Sequence, residues 1–250
     1  MKKFQRYNEI MNRLHTFKHV NVKDLAIAFN VSEETIRRDL EQLEKEGVVK
    51  RKHGGASLIS ESDFPYAYRA TSHPEKKKAI AEKILPLLKN QYSIMADSSS
   101  TVLEAIRLLS IEGQSYKVIT NSINMLYELS STPLDFISTG GMLKPDSATL
   151  VGSQAINTIH HYYTDITLLS CRSLSIHGAS VNGELEGFTK KEMIGQGRQV
   201  CLLVDSSKLT PHEDALFQFA SFKDIDYIVS DTTLPEIYHP VLQQHHVKVL

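Results

Sequence analysis

The sequence between Ser32 and Gly47 encodes the start, the inner face and the end of one helix. The Ser32 hydroxyl is suited to accept a hydrogen bond from a first-turn N–H group, and two glutamates follow it at the positive end of the helix dipole. An apolar residue recurs at i, i+4 and i+7, which gives the helix a single inner stripe. Gly47 is a natural stop. The stripe comprises Ile36, Leu40 and Leu43.

A second short helix precedes this one and predicts a helix-turn-helix. Asn21 is a good N-cap, and Asn30 can take the left-handed conformation that ends a helix. A further helix, predicted from Lys3 to Thr16, packs behind the pair. In a helix-turn-helix the second helix enters the major groove of DNA. The outward polar residues of that helix are therefore DNA-binding candidates: Ser32, Thr35, Arg37, Arg38 and Gln42.

A short β-prone pair after Gly47 leads into a basic, glycine-rich tip. This pattern predicts a wing that lies along DNA phosphates. Spacing alone leaves open a plain helical hairpin with a solvated charged face. The wing candidates are Lys50, Arg51, Lys52 and His53.

The string VSEETIRRDLEQLEKEGVVKRKHGGA, residues 31–56, carries a specific resemblance. It resembles the N-terminal DNA-binding signature of the DeoR family of bacterial transcriptional regulators, through its V-S-x-x-T-I-R-R-D-L core and the closing H-G-G-A. The resemblance covers about the first fifth of the chain. It implies a winged helix-turn-helix that binds double-stranded operator DNA.

Charge is divided unevenly along the chain. Residues 1–56 hold 12 Lys and Arg against 8 Asp and Glu, a net charge of +4, whereas the remainder holds 16 against 21, a net charge of −5. A basic head on an acidic body is typical of a small DNA-binding domain carried by a larger domain that avoids polyanions. The near-neutral total charge of −1 argues against a nonspecific nucleic-acid-binding protein.

The remaining chain alternates short apolar runs with helical stretches, which predicts an α/β domain with a largely parallel sheet. The 250 residues have room for two domains. We predict a DNA-binding domain over 1–56, a linker over 57–74 and a Rossmann-like α/β domain over 75–250. The strand candidates are Ser93–Ala96, Val118–Thr120, Phe136–Ser138, Ile166–Ser170, Val200–Val204, Tyr227–Val229 and Val247–Leu250.

The predicted strands end in polar residues, and ligands of open α/β sheets bind beyond these carboxyl ends. The first strand runs into three serines and a threonine that open a helix, which makes an anion site. Two later ends carry cations that could neutralise a phosphate. The candidate ligand residues are Asp97, Ser98, Ser99, Ser100, Thr101, Thr120, Asn121, Gly140, Gly141, Arg172 and Lys208.

From Glu75 to the C-terminus the chain resembles the DeoR-family sensor domain, which is similar in fold to ribose-5-phosphate isomerase. The matching pieces include Asp97 to Thr101, Gly140-Gly141 and Asp205 to Lys208. The resemblance implies a phosphorylated sugar as effector. The chain departs from the family at Ser99, where a glycine is usual and a serine is expected to narrow the phosphate loop and restrict its dihedral angles. It departs again at 172–175, where a glycine-containing turn is usual, and this departure implies either a different effector or weaker binding.

Other residues predict little further chemistry. Glu184 and Glu186 would share a face of a strand, and Glu186 is a candidate ligand for a sugar hydroxyl. Adjacent histidines at 160–161 and 245–246 lack a chelating spacing, so we predict no metal and no cofactor. The 2 cysteines, Cys171 and Cys201, lie in apolar runs and are predicted to be buried free thiols.

The sequence thus predicts a cytoplasmic transcriptional regulator, not an enzyme, that represses a carbohydrate operon and is released by a sugar phosphate. No apolar run approaches the roughly 20 residues needed to cross a bilayer, so no membrane contact is expected. A homo-oligomer, dimer or tetramer, is expected from the need to hold two DNA-binding heads at one operator. The alternative is an isomerase-like enzyme with a fused DNA-binding head.

Overall fold

The computed structural model describes residues 3–17, 19–58, 65–210 and 215–250. The chain divides into two compact units, Met1–Arg69 and Ala70–Leu250. A short helix, α4, lies at the boundary in sequence. The elements before it are α1 (Lys3–Phe17), β1 (His19–Asn21), α2 (Val22–Phe29), α3 (Glu33–Lys45), β2 (Val49–Lys52) and β3 (Gly55–Leu58), and α4 itself is Tyr66–Thr71.

The helix-turn-helix forms where its local signals predicted it. The Asn21 side chain accepts a 2.8 Å hydrogen bond from the Lys23 N–H at the start of α2, and Asn30 ends that helix with φ of 52°. At the start of α3 the Ser32 hydroxyl accepts from the Thr35 N–H at 3.2 Å. After α3, Gly47 takes a φ of +70°, a conformation that L side chains rarely adopt.

The core of this unit comes from all three helices, so the predicted packing of the first helix behind the pair is confirmed. The apolar stripe of α3 is fully buried against side chains of α1 and α2. The largest buried members are Ile10, Leu14, Leu25, Ile36, Leu40 and Leu43.

A buried ion pair crosses this core. Arg6 of α1 donates to Asp39 of α3 through both Nε and Nη2, the latter at 3.2 Å from Oδ1. The side chains are only 9% and 5% exposed. Hydrogen bonding to Asp39 raises the pKa of Arg6 above its ordinary value. The pair locks α1 and α3 in one arrangement, which the sequence did not reveal.

The wing is a three-stranded antiparallel sheet in the order β1-β3-β2. Strands β2 and β3 pair from Val49 with Leu58 to Lys52 with Gly55, which leaves the basic tip at the turn between them. The predicted β-prone pair is therefore the start of a genuine hairpin.

The second unit contains the elements α5 to α10 and β4 to β15. The helices are α5 (Pro74–Leu88), α6 (Ser100–Ser110), α7 (Ile123–Glu128), α8 (Ser153–His160), α9 (Glu184–Ile194) and α10 (His239–Gln244). The strands are β4 (Ser93–Ala96), β5 (Lys117–Thr120), β6 (Asp135–Ser138), β7 (Met142–Lys144), β8 (Thr149–Val151), β9 (Thr164–Leu169), β10 (Ser173–Ser175), β11 (Gly178–Val181), β12 (Gly197–Leu203), β13 (Phe217–Ala220), β14 (Tyr227–Val229) and β15 (Lys248–Val249).

The main sheet has seven strands in the order β15-β14-β12-β9-β4-β5-β6, and every neighbouring pair is parallel. These seven strands correspond to the seven predicted ones. Apolar runs such as Ile166, Leu168 and Leu169 in β9 are buried because helices cover both faces of a doubly wound sheet. The predicted α/β fold is confirmed.

Two smaller sheets were not predicted. Strands β7 and β8 form an antiparallel hairpin, and β10, β11 and β13 form a second antiparallel sheet. All of these strands have three or four residues, too short to give a clear alternation of apolar and polar positions. The 172–175 segment, where the family carries a glycine-containing turn, supplies β10.

Part of the segment predicted as linker is ordered into elements. Residues 57 and 58 end β3, α4 occupies 66–71 and α5 begins at Pro74. Residues 59–64 lie outside the described residues. The predicted end of the DNA-binding domain at 56 and the predicted start of the α/β domain at 75 stay predictions.

Asp165, at the start of β9, anchors the neighbouring strand and makes stability depend on pH. Burial raises the pKa of Asp165, but the Ser93 and Tyr92 N–H groups and the Ser93 hydroxyl, each 3.0 Å from Oδ2, lower it more, so the net pKa lies below its ordinary value. A lowered folded-state pKa contributes stability above the unfolded pKa, near 4, and loses it as pH falls below that value.

We expect Asp165→Asn to lower the free energy of unfolding by about 1–2 kcal/mol at pH 7, because charge-assisted hydrogen bonds are lost. The difference from the unmodified chain should shrink as pH falls below about 4. Melting temperatures across pH measure this. Asp135→Asn, on the exposed edge strand β6, is the control. A difference that stays constant down to pH 3 would contradict the assignment.

Candidate functional site

The outward face of α3 presents the predicted DNA-binding side chains to solvent. Arg37 donates to Glu33 at 2.8 Å and Arg38 to Glu34 at 3.3 Å, both pairs one helical turn apart. The Arg38 side chain is 77% exposed. Such exposed pairs are weak, so both guanidinium groups can exchange their glutamates for DNA. Ser32 caps the helix with its hydroxyl, which also lies 2.9 Å from the Thr35 hydroxyl.

The wing tip is fully exposed and is tied to α3. Lys50, Arg51, Lys52 and His53 are all exposed. The Arg51 N–H donates to Glu44 Oε1 at 3.0 Å, which fixes the wing against the helix that carries the outward arginines. Gln42, the remaining candidate, donates to Glu46 at 2.9 Å. The structure therefore brings the predicted DNA-binding residues to the outward face of α3 and the adjoining wing of the first unit.

In the second unit the candidate ligand residues meet at the carboxyl edge of the main sheet. The chain runs from β4 outward to β5 and β6, then returns to β9 on the other side of β4. The crevice between β4 and β9 is therefore a topological switch point, the place where open α/β sheets bind ligands. Asp97 follows β4 at this point and is fully buried.

A buried lysine that the sequence analysis missed occupies the switch point. Lys190 of α9 is 7% exposed and forms an ion pair with Asp97 Oδ2. It also donates to the Ser170 carbonyl at 3.1 Å and lies 5.6 Å from the centre of the Phe219 ring. The Ser170 N–H donates to Asp97 at 2.9 Å. One carboxylate and one ammonium group thus join the ends of β4 and β9 to α9.

The serine-rich loop after β4 uses part of its hydrogen-bonding capacity internally. The Ser99 N–H donates to Asp97 Oδ1 at 2.8 Å, and the Ser99 hydroxyl accepts from the Val102 N–H at 3.2 Å. Ser99 is the N-cap of α6, with a φ of −75° that any residue tolerates. Serine in place of glycine therefore adds a helix cap and causes no backbone strain. Ser100 and Thr101 form the first turn of α6.

The unpredicted β7–β8 hairpin joins three of the candidate segments. The Thr149 hydroxyl donates to Ser98 Oγ at 2.6 Å. The Asn121 side-chain amide donates to the Leu150 carbonyl at 3.1 Å, while Asn121 Oδ1 is buried and accepts no hydrogen bond from the residues that the structure describes. A buried carbonyl oxygen without a donor is suited to accept from a ligand hydroxyl. Thr120, just before it, is fully buried.

The two glycines after β6 start this hairpin. Gly141 has a φ of +111°, and a Cβ there would lie 2.6 Å from the Val151 carbonyl oxygen. Only glycine allows the backbone just before β7 to approach the end of β8 this closely. Gly140 also has a positive φ, of 62°. The predicted glycine pair is therefore needed to build the hairpin.

Glu186 lies on a helix, not on a strand. Glu184 and Glu186 belong to the first turn of α9, so the prediction that they share one face of a strand is wrong. Glu186 Oε1 accepts from the Ser147 hydroxyl at 2.6 Å and lies 3.7 Å from Lys144 Nζ. Glu186 thus ties the turn of the β7–β8 hairpin to α9. The sequence gives little sign of this helix, because α9 buries few apolar residues.

The two predicted cations, Arg172 and Lys208, follow β9 and β12 of the main sheet. Arg172 follows β9, and its N–H donates to the Ser180 carbonyl at 2.9 Å. Lys208 ends a 3-10 turn, Ser206–Lys208, after β12. Burial raises the pKa of Cys171 to about 12, and the positive charges of Lys190 and Lys208 lower it in part. The positive charges of both lysines therefore affect the pKa of the one thiol that follows β9.

The remaining candidates carry no further site. Both cysteines are buried and free, as predicted. Within residues 3–17, 19–58, 65–210 and 215–250, no group of three or more His, Cys, Asp or Glu side chains could hold a metal ion. Across the same described ranges, no helix is both long enough and apolar enough to span a bilayer.

Two family models match the chain, one in each unit. Residues 6–62 match the DeoR-like helix-turn-helix domain, and residues 72–232 match the DeoR C-terminal sensor domain. The sensor match alone covers more than half of the chain. The chain belongs to the DeoR family. It is a DNA-binding transcriptional regulator with an N-terminal helix-turn-helix and an α/β sensor domain.

Named relatives of this DeoR-family chain are also transcriptional regulators. It is 35% identical to the uncharacterized HTH-type transcriptional regulator YulB of Bacillus subtilis, over 98% of this chain and 95% of that one. It is 28% identical to the glycerol-3-phosphate regulon repressor of Escherichia coli, over 100% and 99%. The repressor GlcR of Bacillus subtilis is 28% identical, over 98% and 95%. These relatives favour a regulator over the enzymatic alternative.

Solved structures similar to this DeoR-family chain include ribose 5-phosphate isomerase A from Methanocaldococcus jannaschii. The TM-score is 0.38 at 16% identity, over 54% of each chain. The translation initiation factor eIF-2B of Pyrococcus horikoshii OT3 gives a TM-score of 0.45 at 17% identity, over 63% of this chain and 62% of that one.

Proposed function

We propose that this DeoR-family regulator represses a carbohydrate catabolic operon and is released when a phosphorylated sugar binds its sensor domain. The observation that carries the proposal is the switch point, where Asp97 and Lys190 join polar strand ends around a buried Asn121 acceptor. A sugar has hydroxyls for such groups, and its phosphate suits the nearby lysines. The names of the glycerol-3-phosphate regulon repressor and of the repressor GlcR are consistent with this.

The mechanism requires two arrangements of the DNA-binding heads. We propose a homo-oligomer, dimer or tetramer, that holds two heads at the spacing of its operator half-sites. An effector releases DNA only if it binds the two arrangements with different affinity. We propose that the protein acts in the cytoplasm, where its operator would lie, and needs no cofactor.

The effector site proposed here has two sides. The phosphate binds at the loop and first turn of residues 98–101, with Lys208 as its charge partner, and the sugar hydroxyls face Asn121. Arg172 is a further cation within the same edge of the sheet. The β4 and β12 ends are separated by β9 alone, or roughly 10 Å at the usual strand spacing, so a long lysine side chain is suited to bridge the gap.

The test is a thermal-shift screen of sugars, each paired with its phosphorylated form. A bound ligand raises the melting temperature by mass action. We expect at least one phosphorylated sugar to raise it while the unphosphorylated counterpart does not, and the same compound to release DNA in gel-shift titrations. A screen in which unphosphorylated sugars stabilise the chain equally well would overturn the phosphate requirement.

Arg38 is proposed to contact a base. Arg38→Ala should cost roughly 1–3 kcal/mol of specific DNA affinity and relax sequence preference at one operator position. The operator is obtained by selection from random duplexes, and affinities are measured on selected and random DNA. Lys45→Ala, at the other end of the same helix, is the control. Equal losses on selected and random DNA would assign Arg38 to phosphate instead.

The wing is proposed to contact phosphates. Neutralising Lys50, Arg51 or Lys52 singly should lower the salt dependence of DNA binding by about one unit, because one counterion fewer is released. The slope of log K against log salt on random DNA measures this. Lys117→Ala, in the other unit, should leave the slope unchanged. A wing variant with the unmodified slope would remove that residue from the interface.

A further inference from the structure

Lys76, in the first turn of α5, points its ammonium group at the carboxyl end of β12. Its Nζ donates to the Ser206 hydroxyl at 2.7 Å. Among the residues that the structure describes, this neutral hydroxyl is the one partner of the Lys76 ammonium group. No carboxylate of those residues forms an ion pair with Lys76. Other lysines of this region, Lys78 and Lys89, pair with glutamates instead.

Ser206 is held in place from its other side. Its N–H donates to Asp231 Oδ1 at 2.6 Å, and its hydroxyl donates to Oδ2 at 2.9 Å. The single hydroxyl proton therefore goes to Asp231, and the oxygen accepts from Lys76. Lys208, proposed to bind the effector phosphate, lies two residues further along the same 3-10 turn.

Helix α5 also contacts helix α6. Pro74 and Lys78 of α5 line one shallow pocket together with Glu104 of α6. Helix α6 begins at the serine-rich loop, so Lys76 lies on a helix that packs against α6 and contacts the 3-10 turn after β12.

We propose that Lys76 is a second cationic ligand for the effector's phosphate, in addition to Lys208. An ammonium group has three N–H donors, and the described contacts of Lys76 use one, on a neutral oxygen. A charge-assisted bond to phosphate is roughly twice as strong as a bond between neutral groups, so phosphate displaces the Ser206 hydroxyl from Lys76. This inference rests on the proposed function, because it assumes a phosphate at this edge of the sheet.

The proposal connects effector binding to the first long helix of the sensor unit. Helix α5 begins at Pro74, directly after the segment that leads from the DNA-binding unit. A phosphate bound by Lys76 changes a contact of this helix, whereas one bound by strand-end loops alone does not. Lys76 thus gives the ligand a differential interaction at the part of the sensor nearest in sequence to the DNA-binding head.

The test uses inorganic phosphate as probe, with sodium chloride of equal ionic strength as reference. Isothermal calorimetry and melting temperatures are measured for the unmodified chain and for Lys76→Met, which keeps the aliphatic stem. We expect phosphate to bind Lys76→Met about 10-fold to 100-fold more weakly. Lys83→Met is the matched control: Lys83 lies on the same helix and donates to the Ser230 carbonyl at 2.7 Å, and its loss should leave phosphate affinity unchanged.

Two further variants separate a ligand from a purely structural lysine. Lys76→Arg should restore most of the affinity, and Ser206→Ala should retain it, because phosphate replaces that hydroxyl. Ser206→Ala binding as weakly as Lys76→Met would overturn the proposal in favour of a structural contact. Phosphate affinity lost in Lys208→Ala and kept in Lys76→Met would overturn it while the proposed function stands. No phosphate-dependent signal in the unmodified chain would overturn the assignment of Lys76, whereas the proposed function is tested separately by the screen of phosphorylated sugars.

Discussion

Asp39→Ala is expected to unfold much of the DNA-binding unit at temperatures where the unmodified chain is folded. Removing one partner of a buried ion pair costs about 3–5 kcal/mol, because the remaining charge loses its counter-charge while it stays buried. Here the remaining charge is the Arg6 guanidinium, whose side chain is 9% exposed. Hydrogen exchange of the amides in α1 to α3 should accelerate by about two to four orders of magnitude, and affinity for any DNA should fall.

Two variants make this expectation specific. Glu41→Ala removes an exposed carboxylate of the same helix, paired with Lys45 at 3.0 Å, and should leave hydrogen exchange nearly unchanged. The double variant Arg6→Met, Asp39→Leu removes both charges, and replacing a buried pair by apolar residues is often neutral or stabilising. Unchanged hydrogen exchange in Asp39→Ala would mean that solvent reaches Arg6, contrary to its burial.

Local signals account for most of what the sequence predicted correctly. Helix starts and ends at Asn21, Asn30, Ser32 and Gly47 depend on residues within one turn of each boundary. The strands of the main sheet are continuous apolar runs because both faces are covered. Their parallel arrangement follows from the helices between them, so the edge at which the polar ends gather was also predictable.

The centre of the candidate site was not predictable, because it depends on contacts between distant residues. Lys190 and Asp97 lie 93 positions apart. Helix α9 buries Gly187, Thr189, Lys190 and Met193, a set with too little apolar character to mark an inner face. From the sequence alone, a lysine in such a segment is expected to be a solvated surface charge. The hairpin that joins Ser98 to Asn121 was missed for a related reason, since its strands have three residues each.

Lys208→Ala is expected to give a super-repressor, which binds its operator normally and is not released. The variant removes one charge-assisted bond to the effector phosphate, so effector affinity should fall about 10-fold to 100-fold. DNA affinity without effector should survive, because the DNA-binding residues belong to a unit with its own core. Gel-shift titrations with the phosphorylated sugar identified by the thermal-shift screen measure both quantities.

A matched control exists in a second 3-10 turn of the same unit. Lys223 is an exposed lysine of Phe222–Asp224, and Lys223→Ala should leave release unchanged. Release of the Lys208 variant at the normal effector concentration would mean that the phosphate is bound elsewhere on this edge. Arg172 would then be the next cation to remove, because it follows β9, the strand between the ends of β4 and β12, and stands where this chain departs from the family pattern.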